Sequence, residues 1–276
     1  MSAGRRIALT GASGGIGAAL ARQYADDRTT LFLCGRDVVR LASVAESCRT
    51  RGAAVHTAAF DLRDELARES WVRTITADGR LDVLVAGAGV SASVRQTAGR
   101  VWPEDGRDLM RELTVNAVSN ICCVNRTVEL MLARKSPEHH LQIGLIASLA
   151  GMTGLPSSPG YSASKAALRV YGESLRRLVL KEHIGVTVLL PGFIQSPMSR
   201  RYQGRKPFLM SAERAAELMV RALESNKAEY AFPWLLAAGI RALGFLPAPL
   251  QRFFLKSFVF NVLPDGESAS EGRSPQ

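Results

Sequence analysis

Seven short apolar runs of strand length alternate along this chain with stretches of helical length, and that alternation leaves little choice of architecture. Strands are predicted over 6–10, 30–34, 54–60, 82–86, 141–147, 186–190 and 229–232, and helices over 15–25, 38–51, 65–76, 105–133, 161–182 and 212–225. Strands that alternate with helices pair in parallel through right-handed crossovers, which puts helices on both faces of one sheet. The runs are apolar throughout instead of alternating in polarity, as in strands buried on both faces. The expectation is an α/β chain with a doubly wound parallel sheet and ligands at the carboxyl ends of its strands. A length of 276 residues suits one such domain with a short appendage.

The first strand breaks into Thr10-Gly-Ala-Ser-Gly-Gly-Ile-Gly17 and runs directly into Ala18-Ala-Leu-Ala-Arg-Gln-Tyr24. Glycines let the backbone turn sharply and approach a pyrophosphate, and the following helix offers unpaired N–H groups at its positive end. Placed between strand and helix, the turn reads as a dinucleotide site of Rossmann type. At the end of the second strand an acid would bind the ribose hydroxyls of NAD, whereas an arginine would receive the 2′-phosphate of NADP. The chain has Cys34-Gly-Arg-Asp37 there. Arg36 favours NADP, with NAD the less favoured cofactor. Asp37 stays open between a ribose ligand and an ordinary cap of the next helix.

Tyr161 and Lys165 stand one helical turn apart on one face. A phenol near pKa 10 exchanges protons poorly at neutral pH, and a neighbouring ammonium would lower that value. Thirteen residues before Tyr161, Ser148 closes an apolar strand, where its hydroxyl would meet a substrate carbonyl at the sheet's carboxyl edge. Asn116 sits in the middle of a predicted helix, a place that disfavours asparagine.

These motifs resemble the short-chain dehydrogenase/reductase family over residues 5–232. Thr10, Gly11, Gly15, Ile16 and Gly17 match its T-G-x-x-x-G-x-G turn, with Ser13 inside it, and Tyr161 and Lys165 match its Y-x-x-x-K. The resemblance implies a catalytic set of Asn116, Ser148, Tyr161 and Lys165, with Asn116 kinking its helix and anchoring a water that leads to the lysine. Cofactor binding is implied for Thr10, Gly11, Ser13, Gly15, Ile16, Gly17, Arg36, Asp61, Leu62, Gly87, Tyr161, Lys165, Pro191, Gly192, Ile194 and Ser196, and no metal. Asp61 and Leu62 match the adenine-contacting position, and Pro191-Gly-Phe-Ile-Gln-Ser196 matches the segment beside the nicotinamide carboxamide. Two departures stand out. The fourth strand ends Ala86-Gly-Ala-Gly89 where the family has N-N-A-G, losing a side-chain amide that ties this strand to its neighbours. Gly14 occupies the place where NADP-binding members often carry a second basic residue.

The implied activity is NADP(H)-dependent interconversion of a ketone or aldehyde and an alcohol. Two other readings compete with it. Nucleotide-sugar epimerases and dehydratases share Y-x-x-x-K but are longer and space their glycines differently. A cofactor-binding sensor or scaffold without turnover would not need an activated tyrosine. The arginine-rich loop 198–207 falls where the family covers its substrate.

Past residue 232 the chain turns strongly apolar and aromatic, but Arg241, Pro247, Pro249, Arg252 and Lys256 interrupt it, which argues against a membrane span. Two short helices split by the proline pair are expected. Leu250, Phe253, Phe254, Phe258 and Val259 on the second suit a membrane interface, a cover on the substrate pocket or a subunit contact. The domain reading is therefore a catalytic unit over 1–232, apolar helices over 233–263 and a disordered polar tail over 264–276. It implies a hydrophobic, lipid-like substrate, peripheral membrane contact through 233–260, and a homodimer or homotetramer built on the long helices.

The net charge of +10 is spread over scattered arginine doublets without a recognition module, so no nucleic-acid partner is expected. Cys34, Cys48, Cys122 and Cys123 form no C-x-x-C pair and no export signal is visible, so the chain reads as cytoplasmic, with membrane association open. The four histidines, His139-His140 among them, lack metal-ligand spacing.

Overall fold

The computed structural model of the chain describes residues 4–77, 79–97, 100–133, 140–255 and 261–262. Seven parallel strands form the central sheet: β1 (Arg5–Thr10), β2 (Thr29–Gly35), β3 (Ala54–Ala59), β4 (Val83–Ala86), β5 (Leu141–Ile146), β6 (Ile184–Pro191) and β7 (Glu229–Phe232). Their spatial order is β3-β2-β1-β4-β5-β6-β7. Order reverses between β1 and β4, the place where a doubly wound sheet opens a crevice for ligands.

Helices α1 (Gly15–Tyr24), α2 (Val38–Arg49) and α3 (Glu65–Ile75) connect the first four strands. Next come α4 (Gly106–Glu112), a π-helical segment (Leu113–Ser119), α5 (Asn120–Ala133) and α6 (Pro159–Leu178). The chain then forms α7 (Pro197–Arg200), α8 (Ala212–Glu224), α9 (Trp234–Leu243) and α10 (Ala248–Leu255). The period of two in β1 divides the core. Ile7 and Leu9 pack with α1, α2 and α8, while Ala8 faces the cluster built on α3, α5 and α6. Each fully buried leucine or isoleucine stabilises by about 1.5–3 kcal/mol.

Three expectations need adjustment. β3 is not buried on both faces: it is the edge strand, with one neighbour, and most of its residues are exposed. The single helix expected over 105–133 is broken by the π-helical segment around Asn116. The helix before β6 begins at Pro159, because a proline suits a first turn whose N–H is unpaired anyway.

The apolar C-terminal stretch does form two short helices, with Pro247 and Pro249 at their junction. Among the described residues no helix is long and apolar enough to cross a membrane. Asn261–Val262 returns to pair antiparallel with Tyr202–Gln203. Phe258 and Val259, and the tail over 264–276, lie outside the described residues, as does His139.

Candidate active site

A cavity of ≈ 320 Å³ follows the carboxyl ends of the strands. It joins the glycine turn at one end to Ser148, Tyr161 and Lys165 at the other. Gly11, Ser13, Gly15, Ile16, Gly17, Arg36, Asp61, Leu62, Gly87, Pro191, Gly192, Ile194 and Ser196 all line it.

The glycine turn has the form of a cradle. Gly11 and Gly15 adopt φ +70° and +54°, the left-handed region that favours glycine. A Cβ on Gly11 would press within 2.9 Å of the Gly87–Ala88 backbone, and one on Gly17 would collide with the Gly11 carbonyl. α1 starts here with its cap lacking any side-chain hydrogen bond, and its first residues, Gly15, Ile16 and Gly17, line the cavity. These residues fit a dinucleotide pyrophosphate.

At the adenosine end Asp37 proves to be a cap. Its carboxylate accepts the Arg40 backbone N–H at 2.9 Å and the Arg40 Nε at 2.6 Å, which hold it below the usual carboxylate range, and it does not line the cavity. Arg36 does line it, with Asp61 3.9 Å away. Asp61 is bound more tightly by Arg63, whose side-chain hydrogen bond is the main reason its carboxyl titrates low. Sequence reasoning missed Arg40. It lines the cavity, and its Nη1 lies 3.9 Å from the position of a Cβ on Gly14. A guanidinium from α2 thus fills the space over the turn where no basic residue exists in the turn itself. Its spacing was the available signal: Arg36 and Arg40 are four apart across a helix start.

Thr10 belongs to the frame and not to the cavity wall. Its buried hydroxyl accepts the N–H groups of Gly87 and Ala88 at 2.9 and 3.1 Å and donates to Asn120 Oδ1 at 3.2 Å. The Asn120 amide donates in turn to Ala88 O at 2.9 Å and to the Val115 and Asn116 carbonyls. The tie expected to be lost with the β4 asparagines is therefore supplied from α5. Asn120, one turn after Asn116 and equally unsuited to a helix interior, was the unread signal.

At the chemical end Ser148 caps a short 3₁₀ turn, its Oγ accepting from Ala150 N at 3.1 Å. Tyr161 is hydrogen-bonded to Ser148. Lys165 donates from Nζ to the Ile146 carbonyl at 2.8 Å and lies 5.7 Å from the Tyr161 ring centre. Burial lowers its pKa to about 8, which still leaves an ammonium at neutral pH. Burial pushes the Tyr161 phenol well above its ordinary value, nearby Tyr202 adds to this, and the Ser148 hydrogen bond opposes it only in part. Asn116 is fully buried outside the cavity wall. Its Oδ1 accepts Val90 N at 2.7 Å, and its Nδ2 donates to Val90 O at 2.9 Å and Ser164 Oγ at 3.0 Å.

Beyond Tyr161 the wall becomes apolar, with Leu155, Phe193, Met198 and Tyr202 from the neighbouring segments and Leu236 and Ile240 from α9. The inner face of α9 thus borders the pocket. Ser196 is engaged in a capping box with Ser199, its Oγ accepting Ser199 N at 3.0 Å, so its hydroxyl starts α7 while its side chain borders the cavity.

Comparison with known proteins bears on what such an arrangement does. The short chain dehydrogenase family model matches residues 5–206. An uncharacterized oxidoreductase of Myxococcus xanthus is 34% identical over 247 residues, covering 89% of this chain and 94% of that protein. The rhamnolipids biosynthesis 3-oxoacyl-[acyl-carrier-protein] reductase of Pseudomonas aeruginosa is 29% identical over 221 residues, covering 79% of this chain and 84% of that one. Among solved structures, a short chain dehydrogenase from Mycobacterium paratuberculosis bound to NAD superposes with a TM-score of 0.69 at 23% identity, covering 84% of this chain and 97% of that one.

Proposed function

We propose, from the premise that this chain belongs to the short-chain dehydrogenase family and is an NAD(P)-dependent oxidoreductase, that it is an NADPH-dependent reductase of hydrophobic, lipid-like ketones or aldehydes. Alcohol oxidation is the reverse reaction. The observation that carries this reading is the single cavity joining Arg36 and Arg40 at the glycine turn to Ser148 and Tyr161 beneath an apolar cover.

Arg36 and Arg40 would hold the 2′-phosphate, the glycine turn the pyrophosphate, and Lys165 the nicotinamide ribose. When bound, NADPH supplies the hydride. Ser148 donates its hydroxyl hydrogen bond to the substrate oxygen and polarises the carbonyl. Tyr161 gives that oxygen its phenolic proton. Its burial keeps the phenol protonated, the form that reduction requires. The Lys165 ammonium near its ring favours the phenolate as the proton leaves. Asn116 fixes Val90 and the Ser164 hydroxyl, holding the catalytic helix against the loop after β4.

The apolar wall and the 3-oxoacyl reductase among the relatives support a ketoacyl or keto-lipid substrate. We assign residues 1–232 to catalysis and 233–263 to covering the pocket and peripheral contact with membrane, in a cytoplasmic protein. Val118 in the π-helical segment, Leu132 on α5 and Val170 and Leu178 on α6 are exposed and apolar, which supports a homo-oligomer built on these helices.

The test is fluorescence titration of NADPH and NADH against wild type and Arg36→Ala. An NADPH preference that Arg36→Ala abolishes supports the assignment. Equal or NADH-favoured binding overturns the cofactor, and binding of neither would return the scaffold reading.

A further inference from the structure

Glu112, the last residue of α4, is 1% exposed and does not line the cavity. Its Oε1 accepts Ala92 N at 2.5 Å, whereas its Oε2 is buried with no hydrogen-bond partner. Glu104 faces it. The Glu104 Oε2 accepts Gly160 N at 2.7 Å, and its Oε1 is likewise buried and unpartnered. A Cβ on Gly160 would lie 2.6 Å from the Glu112 Oε2 and 2.7 Å from the Glu104 Oε2. Two carboxyl groups therefore meet on the residue that precedes Tyr161.

We propose that Glu112 is a positioning residue: in its protonated form it clasps the 90–94 loop to the N-terminal turn of α6, with the Glu104 carboxylate facing its proton. Two carboxylates this close in a buried site do not both ionise readily, because each adds repulsion to the other's desolvation. The charged and titratable groups around Glu112 are Glu104 and Asp108, which favour its proton, and Arg111, which opposes it weakly. Tyr161 on α6 and Tyr202 after α7 also sense its charge. Burial is the largest influence and raises Glu112 to about 7, with Glu104 raised as well.

The clasp reaches the catalytic residues through the loop. Ser158 Oγ donates to Ala92 O at 2.8 Å, and Val94 N donates to Ser157 O at 2.9 Å. Next to Ala92, the Ser91 side chain is hydrogen-bonded to Tyr202, and Arg201 donates to the Ser91 carbonyl at 3.3 Å. Tyr202 forms part of the cavity wall near Tyr161. A folded-state value raised above the ordinary carboxyl range means the clasp is complete at low pH and is lost as pH rises through about 7.

The test is hydrogen exchange on the full-length protein at about pH 6 and pH 8.5, read on the peptide spanning 88–96. Wild type is compared with Glu112→Gln at each pH, so that the intrinsic exchange rate cancels. The expected result is equal protection at pH 6 and several-fold faster exchange in wild type at pH 8.5. Glu104→Gln, which removes the facing charge, should protect at pH 8.5 in the same way. Equal protection of wild type and Glu112→Gln at both pH values overturns the proposal, as does loss of protection in Glu112→Gln at both. Glutamine nearly matches the buried shape, so the comparison does not depend on the harsher alanine variant. Neither cofactor nor substrate enters the measurement, so its failure is distinct from failure of the assigned reaction.

Discussion

Asp37 grips Arg40 twice, through the backbone N–H at 2.9 Å and through Nε at 2.6 Å. The first bond caps α2, and the second directs the guanidinium toward Gly14. An acid that could have selected NAD is thereby converted into a support for a cation suited to a phosphate. Arg40→Ala is expected to weaken NADPH binding about tenfold and leave NADH binding unchanged. A hydrogen bond to a charged group is worth about 1.5–3 kcal/mol, and partial exposure of Arg40 places it at the low end. Asp37→Ala should also weaken NADPH, with about 1 kcal/mol lost from the helix cap. If Asp37→Ala weakened NADH alone, Asp37 would be a ribose ligand after all.

Tyr161→Phe removes the proposed proton donor and leaves the ring. The expected result is a fall in kcat of about 10²–10⁴-fold, with NADPH affinity within about twofold of wild type. Stopped-flow turnover alongside fluorescence titration checks both. Residual activity near wild type would move the proton-donating role to another hydroxyl, and Tyr202, the nearby tyrosine in the same wall, would be tested next.

The parallel α/β sheet and the gathering of Ser148, Tyr161 and Lys165 along one cavity were legible because each is written in local pattern: apolar runs, a glycine turn, and side chains one helical turn apart. What stayed unread depends on contacts between distant segments. Thr10 and Asn120 are 110 positions apart, so nothing local says that the threonine hydroxyl braces β4 through that amide. The exposed face of β3 was missed because a short apolar run does not reveal whether it sits mid-sheet or at an edge. Nothing local in the sequence distinguishes Glu112 from an ordinary helix charge, because its burial comes from the packing of distant segments.

The Thr10–Asn120 brace makes a stability prediction. Asn120→Ala leaves the Ala88 carbonyl and the Thr10 hydroxyl short of a partner in a buried place, which costs about 1–3 kcal/mol. Thermal unfolding should show this as a loss of roughly 2–4 °C per kcal/mol in a chain of this size. Thr10→Val should cost a similar amount, and the double variant less than the sum, because the two share one network. Strict additivity would show that they act independently. Gly87→Asn, which puts back the family's asparagine, should destabilise as well: its Cβ would lie 2.9 Å from Ile146 Cδ1 and 3.2 Å from the Thr10 carbonyl.

The two faces of α9 give the last prediction. Ala237 and Ile240 belong to the core and Leu236 and Ile240 border the pocket, while Trp234 is 75% exposed and, beyond the helix, Phe245 is 90% exposed. Phe253 on α10 extends the apolar outer surface. Deleting residues 233–276 would therefore uncover the pocket and confound any binding measurement. Replacing Trp234, Phe245 and Phe253 with glutamate leaves every residue of the pocket wall in place. The triple variant should lose co-sedimentation with vesicles containing anionic lipid, which a chain of net charge +10 favours, and should keep NADPH affinity. Unchanged sedimentation would remove the membrane role and leave α9 as a pocket cover, with its outer side available to a protein partner.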